Sequence, residues 1–206
     1  MSQLEQLPEA IRLEYEKLMA RFTDQNRMEA FKNLRTFAEE KTQFLITPAS
    51  TKYHMSCKHG LLLHSMSVTD TLFSIRDALS SPEEIPDSTV VLVAMFHDLG
   101  KVGASMNQPL YIPREPTEKQ KQYGYPANPP YEFNTKILNM DHAHRSIYLI
   151  TKFMSISQEE FQAIMIHDGV AIDANKSYNM KESKLALLLH YADKYSAMFL
   201  EMRNEG

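Results

Sequence analysis

Apolar residues return every three or four positions along most of this chain, the spacing of amphipathic helices rather than the alternation of half-buried strands. Pro8 precedes the first such stretch, and proline is well placed in a first helical turn. Ile11, Tyr15, Leu18, Met19 and Phe22 then form one stripe over residues 9–22. Residues 27–45 repeat the pattern through Met28, Phe31, Leu34, Phe37 and Ala38, and Thr47-Pro48-Ala49-Ser50 breaks it. Further helices are predicted over residues 61–79, 88–102 and 142–153. Ser157-x-x-Glu160 reads as a capping box for a helix over 158–167. A last helix over 181–202 has Leu185, Leu188, Leu189, Ala192, Tyr195, Ala197 and Met198 as its apolar side. No convincing strand pattern, repeat or low-complexity segment is present, so the expected fold class is all-α.

Residues 103–130 break the periodicity. They hold most of the later prolines, two glycines, and Tyr111, Tyr123 and Tyr125, with Tyr131 just beyond. A long segment without helical pattern inside a compact domain reads either as a lid over a site or as a surface-packed loop. The expected organisation is a pair of N-terminal helices in residues 1–46 packing on a core domain of residues 47–206.

Composition narrows the class. With 206 residues, 43% apolar and 23% charged, the chain suits one globular domain with a sizeable core. A net charge of −4 argues against an extended nucleic-acid footprint, which needs a basic face. One cysteine, Cys57, excludes an internal disulfide framework and fits a reducing compartment. The first nine residues are polar and acidic, unlike a signal peptide, and no apolar run approaches membrane-spanning length. A cytoplasmic protein with no membrane partner is expected.

The chemistry concentrates at His97-Asp98, which follows the apolar run Val90-Val91-Leu92-Val93-Ala94-Met95-Phe96. Polar groups at the end of such a run are costly to bury unless something binds them. His64, His142, His144, His167 and Asp193 supply more nitrogen and oxygen donors from separate helices, a set suited to a hard or borderline cation. Asp193 lies in the apolar context Tyr191-Ala192-Asp193, where a cation would hold its carboxylate ionised. His142 and His144, two residues apart, face different sides of a helix, so one of them points inward. Lys101 falls three residues after Asp98, able to pair with it or to reach a phosphate oxygen.

The spacing His64 … His97-Asp98 … Asp193, with Gly100-Lys101 after the pair, resembles the HD-domain superfamily of metal-dependent phosphohydrolases, which are helical bundles. A closer resemblance is to the HD domain of bacterial manganese-dependent 3′-to-5′ exoribonucleases. It is carried by Pro48-Ala49-Ser50-x-x-x-His54, Gly60-Leu61-Leu62-x-His64, Ala143-His144-Arg145-Ser146-Ile147, His167-Asp168-Gly169 and Leu189-His190-Tyr191-Ala192-Asp193, in that order. Those enzymes carry an OB-type module ahead of the HD domain, where this chain has helices, and a His-His-Gly where this chain has His167-Asp168-Gly169.

The resemblance implies a first metal site of His64, His97, Asp98 and Asp193, and a second made with His144 and His167, Asp98 bridging the two. One or two divalent ions (Mn, Mg, Co, Ni, Fe or Zn) are expected as cofactors. Asp98 and Lys101 carry the implied catalytic roles. Lys101, Arg145 and His54 are expected at the substrate, with Tyr123 and Tyr125 of the lid stacking on a base. The expected activity is hydrolysis of a phosphate ester of a small nucleotide, of nucleotidase or phosphodiesterase type. The alternatives are 3′-to-5′ exonuclease action on single-stranded nucleic acid and a non-catalytic nucleotide-sensing module.

Overall fold

The computed structural model describes residues 2–201. After a short 3-10 turn at Leu4–Gln6 come α1 (Glu9–Met19) and α2 (Met28–Lys41), then α3 (Gly60–Leu79) and α4 (Asp87–Phe96). Every residue of α4 from Val90 to Phe96 is buried, so beyond its first turn this helix has no solvent face. Burial of one such side chain contributes about 1.5–3 kcal/mol, which makes α4 the axis of the core. α3 packs along it, and the last helix, α8 (Lys184–Tyr195), packs across α3. The stripe residues Tyr15, Leu18, Met19, Phe31, Leu34 and Ala38 of α1 and α2 join the same hydrophobic cluster, with Phe22 and Phe31 stacked at 3.8 Å. Arg27 binds both carboxylate oxygens of Glu160, at 2.8 and 2.9 Å, and ties the start of α2 to a distant helix. The architecture is the all-α bundle that the periodicity predicts.

The structure departs from the sequence reading in three segments, each for a local reason. The helix predicted over 88–102 stops at Phe96. His97 and Asp98 leave it, and a 3-10 turn follows at Leu99–Val102. The break lets α6 (His142–Thr151) come close: a Cβ on Gly100 would lie 2.0 Å from the carbonyl oxygen of His142. The Gly100 N–H donates to Ser146 Oγ at 2.7 Å across the same contact.

The segment 103–130 is not structureless. It contains β1 (Tyr111–Pro113) and α5 (Glu118–Gln122), and just beyond it β2 (Tyr131–Phe133) pairs antiparallel with β1, Tyr111 opposite Phe133. Three-residue strands, one ending in proline, are too short to show alternation. Thr117 and Gln120 form a full capping box on α5.

The predicted 181–202 helix begins only at Lys184, where Ser183 accepts the Ala186 N–H, and after Tyr195 it widens into a π turn, Ser196–Glu201. Met202 lies outside the described residues. α7 (Gln158–Met165) starts with the expected Ser157–Glu160 capping box. Among the described residues no helix is long and apolar enough to cross a membrane.

Candidate metal centre

Five elements deliver side chains to one buried point. His64 comes from the second turn of α3, His97 and Asp98 from the end of α4, His142 from the first turn of α6, His167 from just past α7, and Asp193 from the last turn of α8. Asp98 is central. Its Oδ2 lies 3.5 Å from His64 Nε2 and 3.4 Å from His97 Nε2, and it pairs with the Lys101 ammonium. Its Oδ1 lies 3.5 Å from His142 Nε2 and 3.4 Å from His167 Nε2. Asp193 Oδ1 closes the first group, 3.1 Å from His64 Nε2 and 3.8 Å from His97 Nε2. His142 Nε2 also lies 3.1 Å from Asp168 Oδ2.

The imidazoles are aimed by their other nitrogens. His97 Nδ1 donates to Ala94 O at 2.8 Å, and His167 Nδ1 to Ile164 O at 2.7 Å. Both histidines follow the end of a helix and fold back onto a carbonyl of its last turn, one of those left without a helical partner. His64 Nδ1 instead donates to Glu201, at 2.9 and 3.1 Å from its two oxygens. In each case Nε2 faces the centre, the arrangement that outer hydrogen bonds impose on metal-binding histidines.

A divalent cation fits these residues. His64 Nε2, His97 Nε2 and Asp98 Oδ1 are buried without a hydrogen-bond partner; their close approaches to one another are not aligned as hydrogen bonds. Orphaned buried polar atoms cost about 1–3 kcal/mol each, more where charge is involved, so three converging on one point call for a ligand. Donor atoms lie within 4.8 Å of one another in His64/His97/Asp98, His97/His167/Asp193 and Asp98/His142/His167. Nitrogen and carboxylate oxygen in that mixture suit first-row divalent ions.

The electrostatics are those of a coupled cluster. Burial would raise the Asp98 carboxyl, but Lys101 and the neighbouring imidazoles outweigh it and hold it well below the usual carboxylate range. Asp193 is lowered in the same way, burial being overcome by His64. Burial would lower His64, yet the carboxylates of Asp193 and Glu201 beside it win and raise it to about 10. His167 is raised to about 9, Asp98 outweighing burial. For His97 burial dominates and the ring is pushed towards neutrality.

The structure corrects several expectations. His144 is not in the cluster: its side chain is 57% exposed, and its Nδ1 lies 3.1 Å from Asp141 Oδ1. Asp141 caps α6, accepting the N–H groups of Ala143 and His144, so His144 is held at the helix entrance while His142 turns inward. The Arg145 guanidinium does not face the centre either. It donates to the carbonyls of Gly100 and Leu138, where it braces the turn after Asp98. His54 sits on the Glu201 side of His64, its Nε2 4.0 Å from Glu201 Oε2. Tyr123 and Tyr125 are exposed and stacked on each other, centroids 6.2 Å apart, and among the described residues no hydrogen bond or ring contact joins them to the cluster. The tyrosine that the hairpin does bring in is Tyr111, whose buried phenol feels Lys101, Asp98 and Asp168.

Sequence reasoning missed Glu201 altogether. It stands eight residues after Asp193 in a segment read as plain helix, and no spacing signal marks it. His190, one turn before Asp193, donates from Nδ1 to the His167 carbonyl, 2.8 Å away. Its ring lies where a Cβ on Gly169 would sit, 2.4 Å from that position, and Gly169 has φ +89.

The sequence matches the family described as HD domain over residues 61–198, from the start of α3 into the π turn. Comparisons with curated proteins and with solved structures return no match. The matched stretch covers more than half of the chain and contains all the residues that meet at Asp98, and on that ground the chain belongs to the HD domain family, whose members are generally metal-dependent hydrolases.

Proposed function

We propose that this protein is a metal-dependent phosphohydrolase that cleaves a phosphate ester of a small nucleotide. One observation carries the reading: the two oxygens of Asp98 face different pairs of imidazoles, His64 with His97 and His142 with His167. His64, His97, Asp98 and Asp193 would hold one divalent ion, and Asp98, His142 and His167 a second. Divalent ions held there would supply Lewis-acid polarisation of phosphoryl oxygens and an activated water near neutral pH.

The chain's own residues do the rest. Asp98, kept ionised by Lys101 and its neighbours, would supply the anionic ligand. The Lys101 side chain is 14% exposed, so its ammonium meets a substrate oxygen with little competing water. Such a charge-assisted contact is stronger than a neutral one. Tyr111 offers a phenol beside Lys101 for a phosphate or sugar oxygen. His142 and Asp168 form the more exposed edge of the cluster, on the side open to substrate.

The small-substrate reading is supported by the net charge of −4, which leaves little cationic surface for a run of phosphates. Incubating mononucleotides, dinucleotides and single-stranded oligomers with Mn, Mg, Co or Ni tests it directly. Metal-dependent phosphate release or ester cleavage from the small substrates is expected, and Asp98→Ala should abolish it together with most metal uptake. Full turnover and full metal content in Asp98→Ala would refute the assignment. Preference for oligomers with a steep salt dependence would favour the exonuclease, and nucleotide binding without turnover a sensing module.

A further inference from the structure

We propose that Glu201 is a positioning residue that aims His64 at the metal, an inference that rests on the metal-centre reading above. Which nitrogen an imidazole presents to a metal is set by the hydrogen bond that the other makes, and metal-binding histidines almost always have such an acceptor. His97 and His167 find that acceptor in a free carbonyl of the helix they terminate. His64 cannot. It lies inside α3, where the carbonyls of the preceding turn are taken up by the helix's own hydrogen bonds. Its orienting group must come from another element.

Glu201 meets that requirement. The π turn Ser196–Glu201 leaves α8 and folds over α3, its start pinned by Ser196 Oγ at 3.1 Å from Thr71 Oγ1. Wide turns of this kind recur at functional sites because they redirect side chains out of helical register. Here the turn delivers a carboxylate that is 2% exposed, with Oε1 2.9 Å and Oε2 3.1 Å from His64 Nδ1. Among the described residues no lysine or arginine pairs with it; its ion-pair neighbours are His64 and, at 4.0 Å, His54. A buried carboxylate needs compensation, and His64 Nδ1–H gives it. On the opposite face of the same ring, Nε2 is 3.1 Å from Asp193 Oδ1. The ring is gripped on one side by an orienting carboxylate and offered on the other to the centre.

The test is manganese affinity, measured by electron paramagnetic resonance of the free ion on full-length protein, for wild type, Glu201→Gln, Glu201→Ala and His64→Ala. Supporting groups of this kind contribute about 10–100-fold to metal affinity. Glu201→Gln should weaken one ion by that factor while the ion held by His142 and His167 is unaffected. Glu201→Ala should weaken the same ion further, because a carboxamide oxygen can still accept from Nδ1. If His64→Ala weakens that ion but Glu201→Gln leaves it within twofold of wild type, the positioning role is overturned and the metal centre stands. If His64→Ala also leaves manganese binding unchanged, the metal-centre reading itself fails. A Glu201→Gln protein that does not fold, judged by circular dichroism, would overturn the proposal in favour of a purely structural carboxylate.

Discussion

Gly100→Ala tests the junction on which His142 depends. The added methyl would sit 2.0 Å from the His142 carbonyl oxygen and 2.9 Å from Arg145 Cβ, and backbone cannot swing aside as a side-chain tip can. Restoring ordinary contact at 3.4 Å or more means separating the Leu99–Val102 turn from α6 by about 1.4 Å. Overpacking typically costs about 1–3 kcal/mol, and with backbone as the partner the upper end applies. For a chain of this size about 3 kcal/mol lowers Tm by roughly 6–12 °C. The same shift carries His142 Nε2 away from Asp98 Oδ1, which it faces at 3.5 Å. A displacement of about 1 Å in a catalytic constellation costs on the order of 100-fold in rate. Under the proposed two-ion reading, differential scanning calorimetry, manganese stoichiometry and turnover on the best nucleotide should therefore all change, with one ion lost. A Gly100→Ala protein with wild-type Tm and two ions per chain would refute the close-approach argument.

Two further outcomes follow from the centre. His142→Ala should weaken one ion by more than the roughly 100-fold expected of a supporting group, whereas His144→Ala should leave metal content unchanged and cost no more than about 0.5 kcal/mol; paired manganese titrations and melts decide it, and the reverse order would restore His144 as the ligand. With chelator present, stability should fall as pH rises from 6.5 towards 9. His64 and His167 are raised in the folded protein to about 10 and about 9, so their contribution is complete below the unfolded value near 6.5 and is lost as pH climbs through the folded values. Protons and metal compete for the same nitrogens, so the Tm increment from manganese should grow over that window. Chelator-treated melts that are flat or rising from pH 6.5 to 9 would contradict this.

Much of the bundle was legible because burial imposes a period. The stripes through Tyr15, Leu18 and Met19 and through Phe31, Leu34 and Ala38 are buried as their spacing requires. What escaped was decided by contacts between distant segments. The 88–102 helix ends early because Gly100 meets α6, forty residues on, and no local signal encodes that meeting. Periodicity restricts His142 and His144 to one inward ring but cannot choose; the Asp141 cap does. Tyr123 and Tyr125 matched a lid by composition, yet the register of a three-residue hairpin, which aromatic content cannot reveal, brings Tyr111 inward instead. Glu201 depends on a π turn, a departure from the period used to read the chain.

The contact between Gly169 and His190 binds two positions into one inheritable unit. A side chain at 169 would have to adopt φ +89 and would strike the His190 ring, so no single-step replacement is neutral there. Shrinking His190 first would open the space but release the carbonyl of His167, loosening the loop that aims the His167 ring at Asp98. Evolutionary routes through this corner must therefore pass by paired changes, and directed evolution of the protein should mutate codons 169 and 190 together or leave both alone.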